Sequence, residues 1–207
     1  MQGLELRQLY SERNERVLFA GLSLSVQPGE VVQLAGANGS GKTSLLRIIA
    51  GLSTRYEGDI LWRGQPLASV LPDFRQQTLY LGHGAGIKSQ LSPLENLRWS
   101  CALRGEAVDD SQLLAALAKV GLQGFEQQPC YGLSAGQQRR VGLARLFCST
   151  ADLWLLDEPF TAIDQRGVAE IEQWIGDFAD SGGSVLLTTH HVLKLPRPLR
   201  RIELGEG

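Results

Sequence analysis

Gly36-Ala37-Asn38-Gly39-Ser40-Gly41-Lys42-Thr43 is the stretch from which the rest of the chain takes its meaning. Ahead of it Val31-Val32-Gln33-Leu34-Ala35 is an apolar run of strand length, and behind it Ser44-Leu45-Leu46-Arg47-Ile48-Ile49-Ala50 has a helical pattern. Strand, glycine-rich turn and helix in that order predict a phosphate-binding loop. Glycines at 36, 39 and 41 let backbone N–H groups turn inward around an anion with no Cβ in the way. The following helix adds its unpaired N–H groups and the positive end of its dipole. Lys42 then carries a full charge to the terminal phosphates, and the Thr43 hydroxyl is placed to ligate Mg²⁺. A glycine-rich turn that merely caps a helix is the competing reading. The agreement of every fixed position with both flanks disfavours it.

A second apolar run, Leu153-Trp154-Leu155-Leu156, ends in two carboxylates, Asp157 and Glu158. A strand sends adjacent residues to opposite faces, so one carboxylate can hold metal-bound water while the next reaches an attacking water. Asp157 is expected at Mg²⁺ and Glu158 as general base. Leu133-Ser134-Ala135-Gly136-Gln137 opens a helix with a capping box. Its serine hydroxyl and glycine N–H make a second anion site, which one domain cannot apply to phosphate bound in its own loop.

Between these motifs the pattern is α/β. Leu4 to Tyr10 and Leu22 to Val26 alternate as half-buried antiparallel strands do, Gly58 to Gly64 is bounded by glycines, and Thr78 to Gly82 is a buried strand ending at His83. From Ala85 to Tyr131 helical signals dominate. Ser92-Pro93-Leu94-Glu95 is a capping box with proline at the first helical position, opening a helix to Arg104, and Ser111 to Val120 carries a second. The helix from Ser134 is expected to run through Phe147. Strand Asp152 to Leu156, helix Arg166 to Ala179, strand Ser184 to Thr189 and strand Arg201 to Leu204 complete the order. The expected organisation is one domain over 1–207, with a core in 1–84 and 138–207 and a helical insertion in 85–137.

Composition narrows the function classes. Among 207 residues, 20 basic and 22 acidic side chains give a net charge of -2, which offers no basic surface of the kind nucleic acids need. The N-terminus lacks a basic segment followed by an apolar one, and the apolar neighbourhood around Leu143 to Leu156 is broken by Arg145 and Asp152. A soluble chain that can dock on a membrane protein is expected. Cys101, Cys130 and Cys148 stand far apart in no metal-ligand spacing, as packing residues in a reducing compartment do.

Ser134 to Gln137, together with Gln138 to Arg145, resembles the signature of ATP-binding cassette (ABC) ATPases, and the order of motifs extends the resemblance over nearly the whole chain. It implies a P-loop NTPase core of RecA-like type with an antiparallel β subdomain and an inserted helical subdomain. ATP and Mg²⁺ are the implied cofactors. In the family two domains pair head to tail, so Ser134, Gly136 and Gln137 would close on nucleotide held by a second copy. Thr161-Ala162-Ile163-Asp164 falls at the family's dimer-contact loop. Thr188-Thr189-His190 falls at its switch, where His190 would contact the γ-phosphate and align Glu158 with water. Tyr10 stands at about the distance where the family places an aromatic under adenine. His83 replaces the family's usual glutamine near Mg²⁺ or its water, which puts the usual coupling to a membrane partner in question.

The runs Leu81 to Lys88, Leu94 to Arg98 and Leu156 to Asp164 resemble the ATP-binding subunits of bacterial cytochrome c maturation, with Gly84 departing from an expected glutamine. That resemblance implies a peripheral ATPase on the cytoplasmic face of the inner membrane. Its integral partner would be a CcmB-like subunit, with a CcmC-like haem-handling protein nearby. ATP would drive haem export or release of a haem-loaded chaperone. Nothing looks like a haem ligand pair, so no haem is expected on this chain. A subunit of another small exporter and a soluble ATPase scaffold, as in iron–sulfur assembly, are the alternatives.

Overall fold

The computed structural model describes residues 3–205; Met1, Gln2, Glu206 and Gly207, the ends of the expected 1–207 domain, lie outside the described residues. Strands β1 (Leu4–Arg13) and β2 (Arg16–Val26) form an antiparallel hairpin that pairs Arg13 with Arg16. Its tip, Asn14-Glu15, takes φ of 51° and 63°, the two left-handed residues that a tight two-residue turn needs. Strand β3 (Val31–Ala35) leads through the glycine-rich loop into helix α1 (Lys42–Ile49). Strands β4 (Glu57–Trp62) and β5 (Gln65–Pro66) then return to the hairpin and complete a four-stranded sheet in the order β2-β1-β4-β5.

Helix α2 (Leu71–Gln77) precedes strand β6 (Thr78–Leu81). Helices α3 (Pro93–Arg104) and α4 (Asp110–Lys119) follow, and each opens with a complete capping box, Ser92 with Glu95 and Asp109 with Gln112. Helix α5 (Ala135–Ala144) opens with a third, Ser134 with Gln137. Strand β7 (Leu153–Asp157), helix α6 (Gln165–Asp180) and strands β8 (Ser184–Thr188) and β9 (Arg200–Glu203) finish the described chain. The second sheet is parallel throughout, in the order β6-β7-β8-β3-β9.

Period-two alternation divides the interior. Leu153, Leu155 and Leu186 pack into one cluster with Val32, Leu34, α1 and the antiparallel sheet, while Trp154, Leu156, Val185 and Leu187 pack into another with α6 and the helical segment. A parallel sheet covered on both faces needs continuous apolar strands, which is why β3, β7 and β8 have every residue buried. The three cysteines are buried free thiols, and burial pushes each upward, Cys148 to about 12.

Four element assignments differ from the sequence reading. The hairpin extends to Arg13 and Arg16, beyond the expected strands, because Asn14-Glu15 supplies the turn without glycine. Helix α2 was not expected; it begins at Leu71-Pro72 with no side-chain cap. The helix from Ser134 ends at Ala144, and Arg145–Phe147 tightens to a 3-10 turn. Asp109 rather than Ser111 marks the entry to α4.

Candidate functional site

Parallel strands deliver the residues after their C-terminal ends to one edge of the sheet, and here that edge collects the motifs. The turn after β3, the carboxylates at the end of β7, the residues after β8 and the residues after β6 all meet there. They line an open cleft of ≈ 600 Å³ that includes Asn38, Gly39, Gly41, Lys42 and Thr43. His83, Asp157, Glu158 and His190 line the same cleft.

The loop's glycines are needed where they stand. Gly36, Gly39 and Gly41 have φ of 137°, 83° and 93°. A Cβ at Gly36 would lie 2.7 Å from the Leu204 carbonyl oxygen and 2.8 Å from the Ser40 hydroxyl. Lys42 is buried, and its Nζ donates to the carbonyls of Gly36 (2.7 Å) and Ala37 (2.9 Å). The ammonium is thereby held over the loop, near where a phosphate would lie in the cradle of N–H groups.

Asp157 is 1 % exposed, and its two oxygens differ. Oδ1 accepts from the Thr188 hydroxyl at 2.7 Å and from the Thr43 hydroxyl at 3.1 Å. Oδ2 is buried with no hydrogen-bond partner among the described residues. A bare carboxylate oxygen beside a threonine hydroxyl fits a hard divalent cation, which takes few protein ligands and completes its shell with water and phosphate oxygen. Thr43 and Asp157 would hold Mg²⁺, with His83 on the same cleft wall.

Glu158 follows with a left-handed backbone, φ 51°, which turns its side chain away from that of Asp157 and into the cleft. Its N–H donates to both the carbonyl and the hydroxyl of Thr188. The His190 Nε2 stands 3.7 Å from Glu158 Oε1. Behind it His191 contacts the buried Glu172 at 3.2 Å, and the same carboxylate accepts the Lys194 N–H at 2.6 Å. The segment carrying His190 is thus tied to α6.

The signature residues stand elsewhere. Ser134 is exposed, its hydroxyl accepting from Gln137 N–H at 3.2 Å, while the Gln137 side chain caps Ser134 N–H at 2.9 Å. Gly136 abuts the loop before α6: a Cβ there would come within 2.7 Å of the Ala162 carbonyl oxygen. Asp164 caps α6 by accepting the Gly167 N–H at 3.0 Å, and that bond holds its carboxyl below the usual range, with Arg140 adding to the effect. None of Ser134, Gly136, Gln137 and Asp164 lines the cleft.

Tyr10 is not brought to the cleft either. Register shifts on both sides of it, with Leu9 fully buried, leave Tyr10 facing a neighbouring hollow lined by Thr54, Tyr56 and Glu57. Its hydroxyl donates to Glu12 Oε2 at 2.9 Å, a bond that raises the phenol's pKa. The cleft wall at that side consists of Arg13, Asn14, Arg16 and Leu18 from the hairpin. The sequence reading missed these four, since they carry no motif and reach the loop only through the hairpin's length.

The ABC transporter family profile matches residues 19–161. A cytochrome c biogenesis ATP-binding export protein CcmA from Hahella chejuensis is 52% identical over 202 residues, covering 98% of this chain and 95% of that one. The CcmA protein of Pseudomonas fluorescens is 50% identical over 203 residues, covering 98% and 96%. Among solved structures, a dimeric bacterial ABC transporter cassette superposes with a TM-score of 0.85 at 22% identity, covering 98% of this chain and 95% of that one. A dimeric cassette in a post-hydrolysis state bound to ADP and Pi gives 0.82 at 22%, covering 91% and 88%. At such identities these two speak for the fold.

Proposed function

The chain belongs to the ABC transporter family, and from that premise we propose that it is the ATP-hydrolysing subunit of a membrane complex in c-type cytochrome biogenesis. One observation carries the chemistry: Lys42, Thr43, Asp157, Glu158 and His190, from three separate stretches of sequence, converge on one cleft. The loop from Gly36 to Thr43 binds the phosphates, and Lys42 neutralises the β and γ groups. Thr43 and Asp157 would hold Mg²⁺, which would supply charge neutralisation at the phosphate oxygens. Glu158 accepts a proton from the attacking water, whose oxygen bonds the γ-phosphorus as the bond to the bridging oxygen breaks, leaving ADP and phosphate. His190 orients Glu158 and the γ-phosphate.

Ser134, Gly136 and Gln137 serve the nucleotide of a second copy, with Asp164 near the contact. The exposure of Ser134 and Asp164, and the separation of all four residues from the cleft of their own chain, support a head-to-tail homodimer. An integral membrane subunit of the CcmB type is the proposed partner, with a CcmC-like protein nearby. No helix among the described residues is long and apolar enough to cross a membrane, which fits a peripheral subunit. A groove of ≈ 490 Å³ between α2, β6 and α3 is the proposed dock: its walls include the exposed apolar side chains Leu52, Trp99 and Leu103 beside Arg75 and Arg104. Purification from native membranes tests the assignment. Recovery of CcmB-like and CcmC-like proteins is the expected result, and recovery of an unrelated permease, or of no membrane protein, would overturn it.

A further inference from the structure

Arg139 is 5 % exposed, and among the described residues it has no carboxylate side chain as partner. A buried guanidinium spent on carbonyls is costly, and a well-packed apolar residue would serve stability alone at least as well. Its donors go to two loops. Nη1 bonds the carbonyls of Gly82 (2.9 Å), His83 (3.2 Å) and Gly84 (3.2 Å) after β6. Nη2 bonds those of Asp157 (3.1 Å), the last residue of β7, and Glu158 (2.8 Å), and Nε bonds that of Pro159 (3.4 Å) in the turn that follows.

The second loop is the strained one, since Glu158 is a non-glycine residue in the left-handed region. Such a conformation persists only where its surroundings fix it, and Arg139 bonds three consecutive carbonyls through the turn. Helix α5 is joined to the first loop a second time at Gly142, where a Cβ would lie 2.4 Å from the Ala85 carbonyl oxygen. The helix therefore cannot shift along its axis without displacing both loops. Burial pushes the guanidinium's pKa down, opposed by the charges of Asp157 and Glu158; at any ordinary pH it stays a donor on every nitrogen.

We propose that Arg139 is a positioning residue that sets the Glu158 carboxylate from the signature helix, so that movement of α5 is felt at both the general base and the His83 loop. This rests on Glu158 being the base. Closure of Ser134 on a neighbour's nucleotide would then reach the hydrolytic carboxylate through one side chain, five residues along the same helix.

Arg139→Lys keeps the charge, but a single ammonium cannot span two loops with the guanidinium's fixed fork. Steady-state ATP hydrolysis by the full chain should show kcat reduced about ten- to a hundredfold, the cost of a small misplacement of a reacting group, with KM for ATP nearly unchanged. Leu6→Ala, buried in the antiparallel sheet, is the control for stability: it should lower the melting temperature and leave kcat intact. In a Glu158→Gln background, Arg139→Lys should add no further loss, because the residue acts through that carboxylate. Parental kcat in Arg139→Lys, an equal kcat loss in Leu6→Ala, or a fully multiplicative loss in the double variant would each overturn the proposal. Parental kcat in Glu158→Gln would instead overturn the assignment of the base.

Discussion

Glu158 combines an unfavourable backbone conformation with the chemical task proposed for it, and the geometry around it shows what each neighbour contributes. Thr188 fixes its N–H, Arg139 fixes its carbonyl, and His190 stands 3.7 Å from its carboxylate. A left-handed non-glycine residue costs of the order of 1–3 kcal/mol, a burden that folding tolerates where the side chain must face a substrate. His83 is a different case. Its imidazole is exposed on the cleft wall and, among the described residues, has no hydrogen-bond partner. His83→Gln should therefore keep ATP affinity within about threefold, a change of well under 1.4 kcal/mol. Titration with a fluorescent nucleotide checks this, and a tenfold loss would mean that the imidazole touches the nucleotide or its metal. Residues of this kind were legible from sequence wherever a covalent constraint demanded them: the glycines at 36, 39 and 41 have positive φ that other residues rarely adopt. Tyr10 was not, because its facing is set by register shifts along β1 that no local pattern announces.

At the scale of elements, local chemistry accounts for what could be foreseen. Ser92-Pro93-Leu94-Glu95 and Ser134 to Gln137 satisfy their helices' first N–H groups from within a few residues, so both starts were readable. Helix α2 lacks such a cap, and Pro72 sits in its first turn, where it gives only a weak signal. The β1–β2 tip lacks the glycine that usually announces a tight turn. The groove between α2, β6 and α3 was invisible for the same reason that α2 was. Trp99 is 42% exposed and Leu103 67%, and both lie on α3, so burying them takes a partner. Trp99→Asp combined with Leu103→Asp should abolish co-purification with the membrane subunit while nucleotide binding persists. Retention of the partner by this variant would place the dock elsewhere.

In the proposed reading the whole molecule is half of a catalytic unit. Its strand order, β6-β7-β8-β3-β9, depends on pairings between strands far apart in sequence, which α/β alternation implied as a class without specifying. That order brings the phosphate loop, both carboxylates and His190 to one edge, and leaves Ser134 exposed and outside the cleft. With Glu158 as the proposed base, it and the signature would meet the same nucleotide only across two copies. Light scattering of the Glu158→Gln chain with Mg²⁺ and ATP, in which bound nucleotide is retained, measures this most directly. The expected species has twice the 22.6 kDa chain mass and reverts to the monomer when ATP is removed. A monomer carrying stoichiometric ATP would contradict it.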